Sequence, residues 1–121
     1  MIGIGIDAVD VDRFRRVLAR SPGLADRLFT DGERADGRRG HDAAPRLAAR
    51  FAAKEATMKA LGVGLGAFGF HDVEVRTRPS GAPVLEVSGA AATLAARLGV
   101  TSFKVSLTHT DHLAGAVVAA L

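Results

Sequence analysis

At 121 residues, 48% of them hydrophobic, the chain has the length of one domain with one core. It contains no Cys, which excludes disulfides, thiolate metal ligands and a cysteine nucleophile, and fits a reducing compartment. Thirteen Arg against three Lys leave a net charge of +3, a mild bias towards acidic or phosphate-bearing partners that does not call for nucleic acid.

The opening residues lack a leader's pattern and no uncharged run reaches roughly 18 residues. A cytoplasmic chain without a membrane partner is therefore expected. Residues 2 to 7, "IGIGID", alternate as a half-buried strand does, with Asp7 at its end. Gly3, Gly5 and Ala8 match the spacing of a dinucleotide-binding turn, but only two residues precede the first glycine, which leaves no room for the strand that such a turn follows. The two glycines more simply allow a neighbouring backbone to come close.

From Asp10 to Arg20 the period becomes helical. Phe14, Val17 and Leu18 share one face and Arg13, Arg16 and Arg20 another, with Asp10 or Asp12 as cap. "SPG" at 21 to 23 ends that helix and "LADRLF" reads as a short amphipathic turn. Residues 31 to 42, "DGERADGRRGHD", lack apolar periodicity and read as a surface loop or frayed helix. The longest helix is "AAPRLAARFAAKEATMKALG", closed by Gly62 and followed by the glycine-rich connector "GVGLGAFGF". "HDVEVRT" and "VLEVS" flank the turn "PSGAP" as a hairpin. A helix from Ser88 as cap to Gly99 as stop follows, then strands "TSFKVSLT" and "LAGAVVAAL" around the polar turn "HTDH". The sum is an α+β single domain over residues 1 to 121, a mainly antiparallel sheet packed against one long helix.

Glu55 falls within the apolar stripe of Leu47, Phe51 and Met58, so its carboxylate is expected to be partly buried. Burial of an unpaired charge costs several kcal/mol, on the order of the penalties seen in proteins. Two partners answer that need: Lys59, one turn onward, or a divalent metal shared with Asp7. Arg50, Lys54 and Lys59 project from the same helix, either as a solvated basic edge or as a polyphosphate cradle. The run Gly62, Gly64, Gly66 lacks the ending of a phosphate loop and follows a helix rather than opening one. His109 sits in the last turn, where a histidine needs no function. The Arg13, Arg16, Arg20 stripe is either a wet face or a dock for an acidic helix.

Three stretches, "GIGIDAVDVDRF", "RFAAKEATMKAL" and "VSLTHTDHLAGAVV", together resemble in order and spacing the holo-acyl-carrier-protein synthases, the short class of 4′-phosphopantetheinyl transferases. The resemblance implies that fold and a Mg2+-dependent transfer of the phosphopantetheine arm of coenzyme A to a serine of an acidic acyl carrier protein. It implies Asp7 and Glu55 as metal ligands and Glu55, Lys59 and His109 as catalytic residues. Arg50, Lys54, Lys59, Gly64 and His109 are the implied contacts to coenzyme A. Arg13, with Arg16 and Arg20, becomes the carrier dock, and a homotrimer with interfacial sites is implied. Glu55 and a water on the metal both stay open as acceptor of the serine proton.

Two other readings use the same residues. A ribonuclease-H-like nuclease would also open on a "GID" strand, and a non-catalytic basic module would simply pair Glu55 with Lys59.

Overall fold

The computed structural model describes all residues from Met1 to Leu121. Its order is β1 (Gly3–Asp10), α1 (Val11–Arg20), α2 (Leu24–Leu28), α3 (Asp31–Gly37), α4 (Ala44–Ala60), a 3-10 turn (Phe70–Asp72), β2 (Val73–Thr77), β3 (Pro83–Val87), α5 (Gly89–Arg97), β4 (Phe103–His109) and β5 (Leu113–Ala120). The α+β expectation holds, with one refinement. The strands form two antiparallel sheets, β1-β5-β4 and the β2-β3 hairpin, and α4 lies against both.

The alternation of β1 is set by its glycines. A Cβ on Gly3 would fall 1.9 Å from the carbonyl oxygen of Ala60, and one on Gly5 equally close to that of Ala56. Only glycine lets α4 approach the strand so closely, so Gly3, Gly5 and Asp7 face the helix while Ile4 and Ile6 face outward. Asp7 is not the end of the strand, as the sequence reading has it. β1 continues to Asp10, paired residue for residue with β5 from Gly3 with Ala120 to Asp10 with Leu113. Asp10 then caps α1 by accepting a hydrogen bond from the Arg13 backbone N–H at 2.9 Å.

Helix α4 is buried nearly all round. Ala48, Ala49, Ala52, Ala53 and Ala56 are sealed, and small side chains let strands and helices close on every face. It runs through two apolar clusters. One, with Met58, Phe68, Val73, Val75 and Val118, lies between the sheets. The other, with Val11, Phe14, Leu28, Phe29 and Leu47, lies under α1 and α2. Fully burying a side chain such as Val118 or Phe29 contributes about 1.5–3 kcal/mol.

One open reading is decided and one expectation is corrected. Residues 31 to 37 form a helix, because Thr30 and Glu33 make a capping box: the Thr30 hydroxyl accepts from the Glu33 N–H and the Glu33 carboxylate from the Thr30 N–H. Ser88 makes no side-chain cap on α5. Asp72 reaches across instead and accepts from the Ala91 N–H at 3.4 Å. No helix is long and apolar enough to cross a membrane.

Candidate active site

The centre of β1 and the last half of α4 bring Asp7 and Glu55 to one cavity of about 520 Å³. Its walls are mostly apolar: Val9 from β1, Phe14 and Val17 from α1, Leu24 and Leu28 from α2, Phe51 from α4 and Phe70 from the 3-10 turn. Phe70 stacks on Phe51 with centroids 5.9 Å apart, and Phe51 leans on Phe14 at 5.5 Å. Asp10 and Arg13 stand in the same lining, as does Leu65, 71% exposed on the glycine-rich connector.

Of the two partners considered for Glu55, the pairing with Lys59 is not what the fold makes. Lys59 turns to β1, donating to the Ile6 carbonyl at 2.9 Å and to Asp7 Oδ1 at 3.3 Å. Glu55 is left beside them, half-buried and without a salt bridge. Burial first, and the neighbouring Asp7 second, hold its carboxyl above the usual carboxylate range, with Lys59 opposing. Two acids on one cavity wall with a single shared ammonium leave negative charge that a cation would relieve. Their oxygens are hard donors, which suits Mg2+ or a similar ion. No third carboxylate or histidine completes a cage, so such an ion would take its other ligands from water and phosphate.

Lys54 is corrected as a coenzyme A contact. It is fully buried, pairs with the equally buried Glu33 at 2.8 Å, and spends its other donors on the carbonyls of Phe70 and Val73. Five residues of helix thus separate a sealed lysine from the open Lys59, which is 55% exposed. Arg50 is also inward, bonded to Asp36 at 3.4 Å and Thr77 at 3.3 Å, and it is absent from the cavity lining. Those contacts are long for hydrogen bonds and leave its Nε without a partner. Gly64 lies in open space on the connector.

His109 is exposed and ends β4 rather than lying in the turn. It pairs with Ala114, which pairs on its other side with Val9 of β1. Two interstrand steps of about 4.8 Å each therefore set His109 roughly 10 Å from β1. The fold brings together Asp7, Glu55 and Lys59, and does not bring His109 or Arg50 to them within one chain.

Arg13, Arg16 and Arg20 stand exposed on α1 without ion-pair partners. Arg15 differs: Asp12 and Asp42 hold it at 2.9 and 2.6 Å, and His112 completes that network by reaching Asp12 at 3.0 Å. Sequence reasoning missed Glu33 and the aromatic wall. Glu33 had a legible signal in the spacing Thr30-x-x-Glu33, whereas the meeting of Phe14, Phe51 and Phe70 from three elements had none.

Comparison with known proteins agrees with this geometry. Residues 3–118 match the family described as the 4′-phosphopantetheinyl transferase superfamily. The holo-(acyl-carrier-protein) synthase of Streptomyces avermitilis is 52% identical over 122 residues, covering 99% of this chain and 97% of its own. That of Frankia casuarinae is 50% identical with the same coverage. Among solved structures, the synthase of Neisseria meningitidis superposes with a TM-score of 0.89 at 28% identity, over 100% of this chain and 98% of its own. The Helicobacter pylori synthase, solved in complex with coenzyme A, gives 0.85 at 28% identity, over 98% and 99%. The chain belongs to the 4′-phosphopantetheinyl transferase superfamily.

Proposed function

We propose that the chain transfers the phosphopantetheine arm of coenzyme A to a serine of an apo-acyl carrier protein. The observation that carries this reading is the convergence of Asp7 and Glu55 on one mostly apolar cavity, with Lys59 bonded to Asp7. The charged rim suits a diphosphate and the apolar interior suits an uncharged arm. The ~50% identical relatives are synthases of this kind and one structural neighbour holds coenzyme A, which supports the substrate assignment.

Asp7 and Glu55 are the residues that would hold Mg2+, whose charge, when bound, neutralises developing negative charge on the diphosphate oxygens. Lys59 has three N–H donors and spends two on Ile6 and Asp7, so one remains for a phosphate oxygen at the same rim. The serine oxygen forms the new O–P bond and the bond from that phosphorus to the bridging oxygen breaks. Adenosine 3′,5′-bisphosphate leaves with that oxygen. The serine proton passes to Glu55 or to a water at the site. Gly64 offers open backbone to the ligand, and Arg50's long contacts to Asp36 and Thr77 are ones a phosphate can displace.

The free arginines of α1 provide the dock for an acidic carrier, with Arg13 at the cavity itself. We read the working unit as a homotrimer in the cytoplasm. The outer face of β1 leaves Ile4 61% and Ile6 67% exposed, with Val117 beside Ile6 and Leu113 further along β5, an apolar surface that further copies of the chain would cover. In that assembly His109 would serve a neighbouring chain's Asp7 and Glu55, which it does not reach in its own.

The test is incubation with coenzyme A, apo-carrier protein and Mg2+, followed by mass spectrometry of the carrier. A gain of about 340 Da, roughly the transferred arm, is expected. Asp7→Asn and Glu55→Gln should each abolish it while the fold persists. Full activity in Asp7→Asn would overturn the metal assignment, and no gain with the unaltered chain would overturn the reaction.

A further inference from the structure

Lys54 is a buried charge that the transfer reaction does not use. Its ammonium is enclosed by three acceptors: Glu33 Oε1 at 2.8 Å, the Phe70 carbonyl at 2.8 Å and the Val73 carbonyl. Glu33, equally enclosed, accepts from the Thr30 N–H at 3.0 Å and the Val75 N–H at 2.9 Å. Four segments meet at this point: the start of α3, the middle of α4, the 3-10 turn and β2.

An ion pair is a costly way to hold four segments together. Apolar replacements of buried pairs are often neutral or stabilising, so the pair's presence asks for a role beyond stability. Its position supplies one. Lys54 lies on α4 between Phe51 and Glu55, both of which line the cavity, and its ammonium grips the main chain of Phe70, the residue that completes the wall by stacking on Phe51. Near that ammonium Glu74 adds attraction and Arg50 opposes it. An ammonium with all three donors directed at fixed acceptors sets its neighbours more sharply than an apolar side chain, which can slide.

We propose that Lys54, held by Glu33, is a positioning residue for the transfer: it fixes the Phe70 main chain so that the Phe51–Phe70 wall receives the pantetheine arm beside Glu55. This deepens the proposed function and rests on it. Lys54 touches no substrate. Its effect on the cavity passes through the Phe70 main chain, and its loss should be felt by ligands that carry the arm and not by those that lack it.

Coenzyme A and adenosine 3′,5′-bisphosphate differ by that arm, so the pair separates a positioning role from a structural one. Lys54→Met is made alone and together with Glu33→Gln, the double variant leaving no unpaired buried charge. Binding of both ligands is measured by calorimetry with Mg2+. In the variants coenzyme A should bind about ten-fold more weakly, the equivalent of about 1.4 kcal/mol, while adenosine 3′,5′-bisphosphate changes by less than about two-fold. Adding Phe70→Ala to the double variant should cost nothing further, because both changes act on one contact. Equal losses for the two ligands, unchanged coenzyme A affinity, or unfolding of both variants would each overturn the proposal. Failure of the unaltered chain to bind coenzyme A at all would instead overturn the reaction itself.

Discussion

Two acid–lysine pairs flank the same helix, and they have opposite fates. Behind α4, Glu33 and Lys54 are sealed from solvent, with the ammonium's three donors and both carboxylate oxygens engaged. In front, Asp7 and Lys59 meet at 3.3 Å with Lys59 largely exposed and Glu55 alongside, short of a counter-charge. Burial, and not residue type, separates them. A pair with every bond satisfied is fixed, whereas an open pair with one donor and one carboxylate to spare can exchange its partners for a ligand's. The contrast shows where this helix keeps its shape and where it keeps its chemistry.

The largest way to break that contrast is to open the sealed pair. Glu33→Ala leaves the Lys54 ammonium enclosed without its carboxylate and removes the α3 capping box with it. Denaturant unfolding should show a loss of about 3–5 kcal/mol. A loss under about 1 kcal/mol would mean that the node is wet and its enclosure is not energetic.

The open pair should give the reverse pattern. Lys59→Met removes an exposed ion pair of about 0.2–1 kcal/mol, so the melting transition barely moves. Transfer to the carrier should nonetheless fall by about 10²-fold, the scale of losing one charged donor from a developing charge. Activity within about two-fold of the unaltered chain would remove Lys59 from the chemistry.

How far the sequence carries this contrast depends on which contacts are local. Asp7 and Glu55 were legible, since glycine alternation in β1 and the stripe through Phe51 and Met58 each place an acid towards the interior. The Arg13, Arg16, Arg20 face was legible for the same reason of period. What separates Lys54 from Lys59 was not. With alanine at positions 48, 49, 52, 53 and 56, burial on α4 extends well beyond the stripe of Leu47, Phe51 and Met58, and both lysines read as basic edge. The partner that seals Lys54 comes from α3, 21 residues away, in a segment whose lack of apolar residues suggested a loop or frayed helix. Its capping box was a local signal, but the destination of the Glu33 side chain was a tertiary fact. His109 marks another limit, because its distance from Asp7 follows from the sheet order β1-β5-β4, which no spacing along the chain contains.

The smallest expected effect is a response to pH confined to the sealed pair. Burial holds the Lys54 ammonium below the ordinary lysine value of 10.5, and the attraction of Glu33 opposes that shift. The folded chain therefore releases this proton before the unfolded chain does. Wherever the unfolded chain binds more protons, stability rises with pH. For Lys54 that contribution is complete above the ordinary lysine value and is lost as pH falls through the lower, folded one. Denaturant midpoints of the unaltered chain and of the Lys54→Met, Glu33→Gln variant, compared between about pH 8 and about pH 10.5, isolate it because the other titrating groups are common to both. The unaltered chain should gain on the variant across that window. A gain by the variant would show that Glu33 outweighs burial, and that the sealed pair is held by its own charges more tightly than the open one.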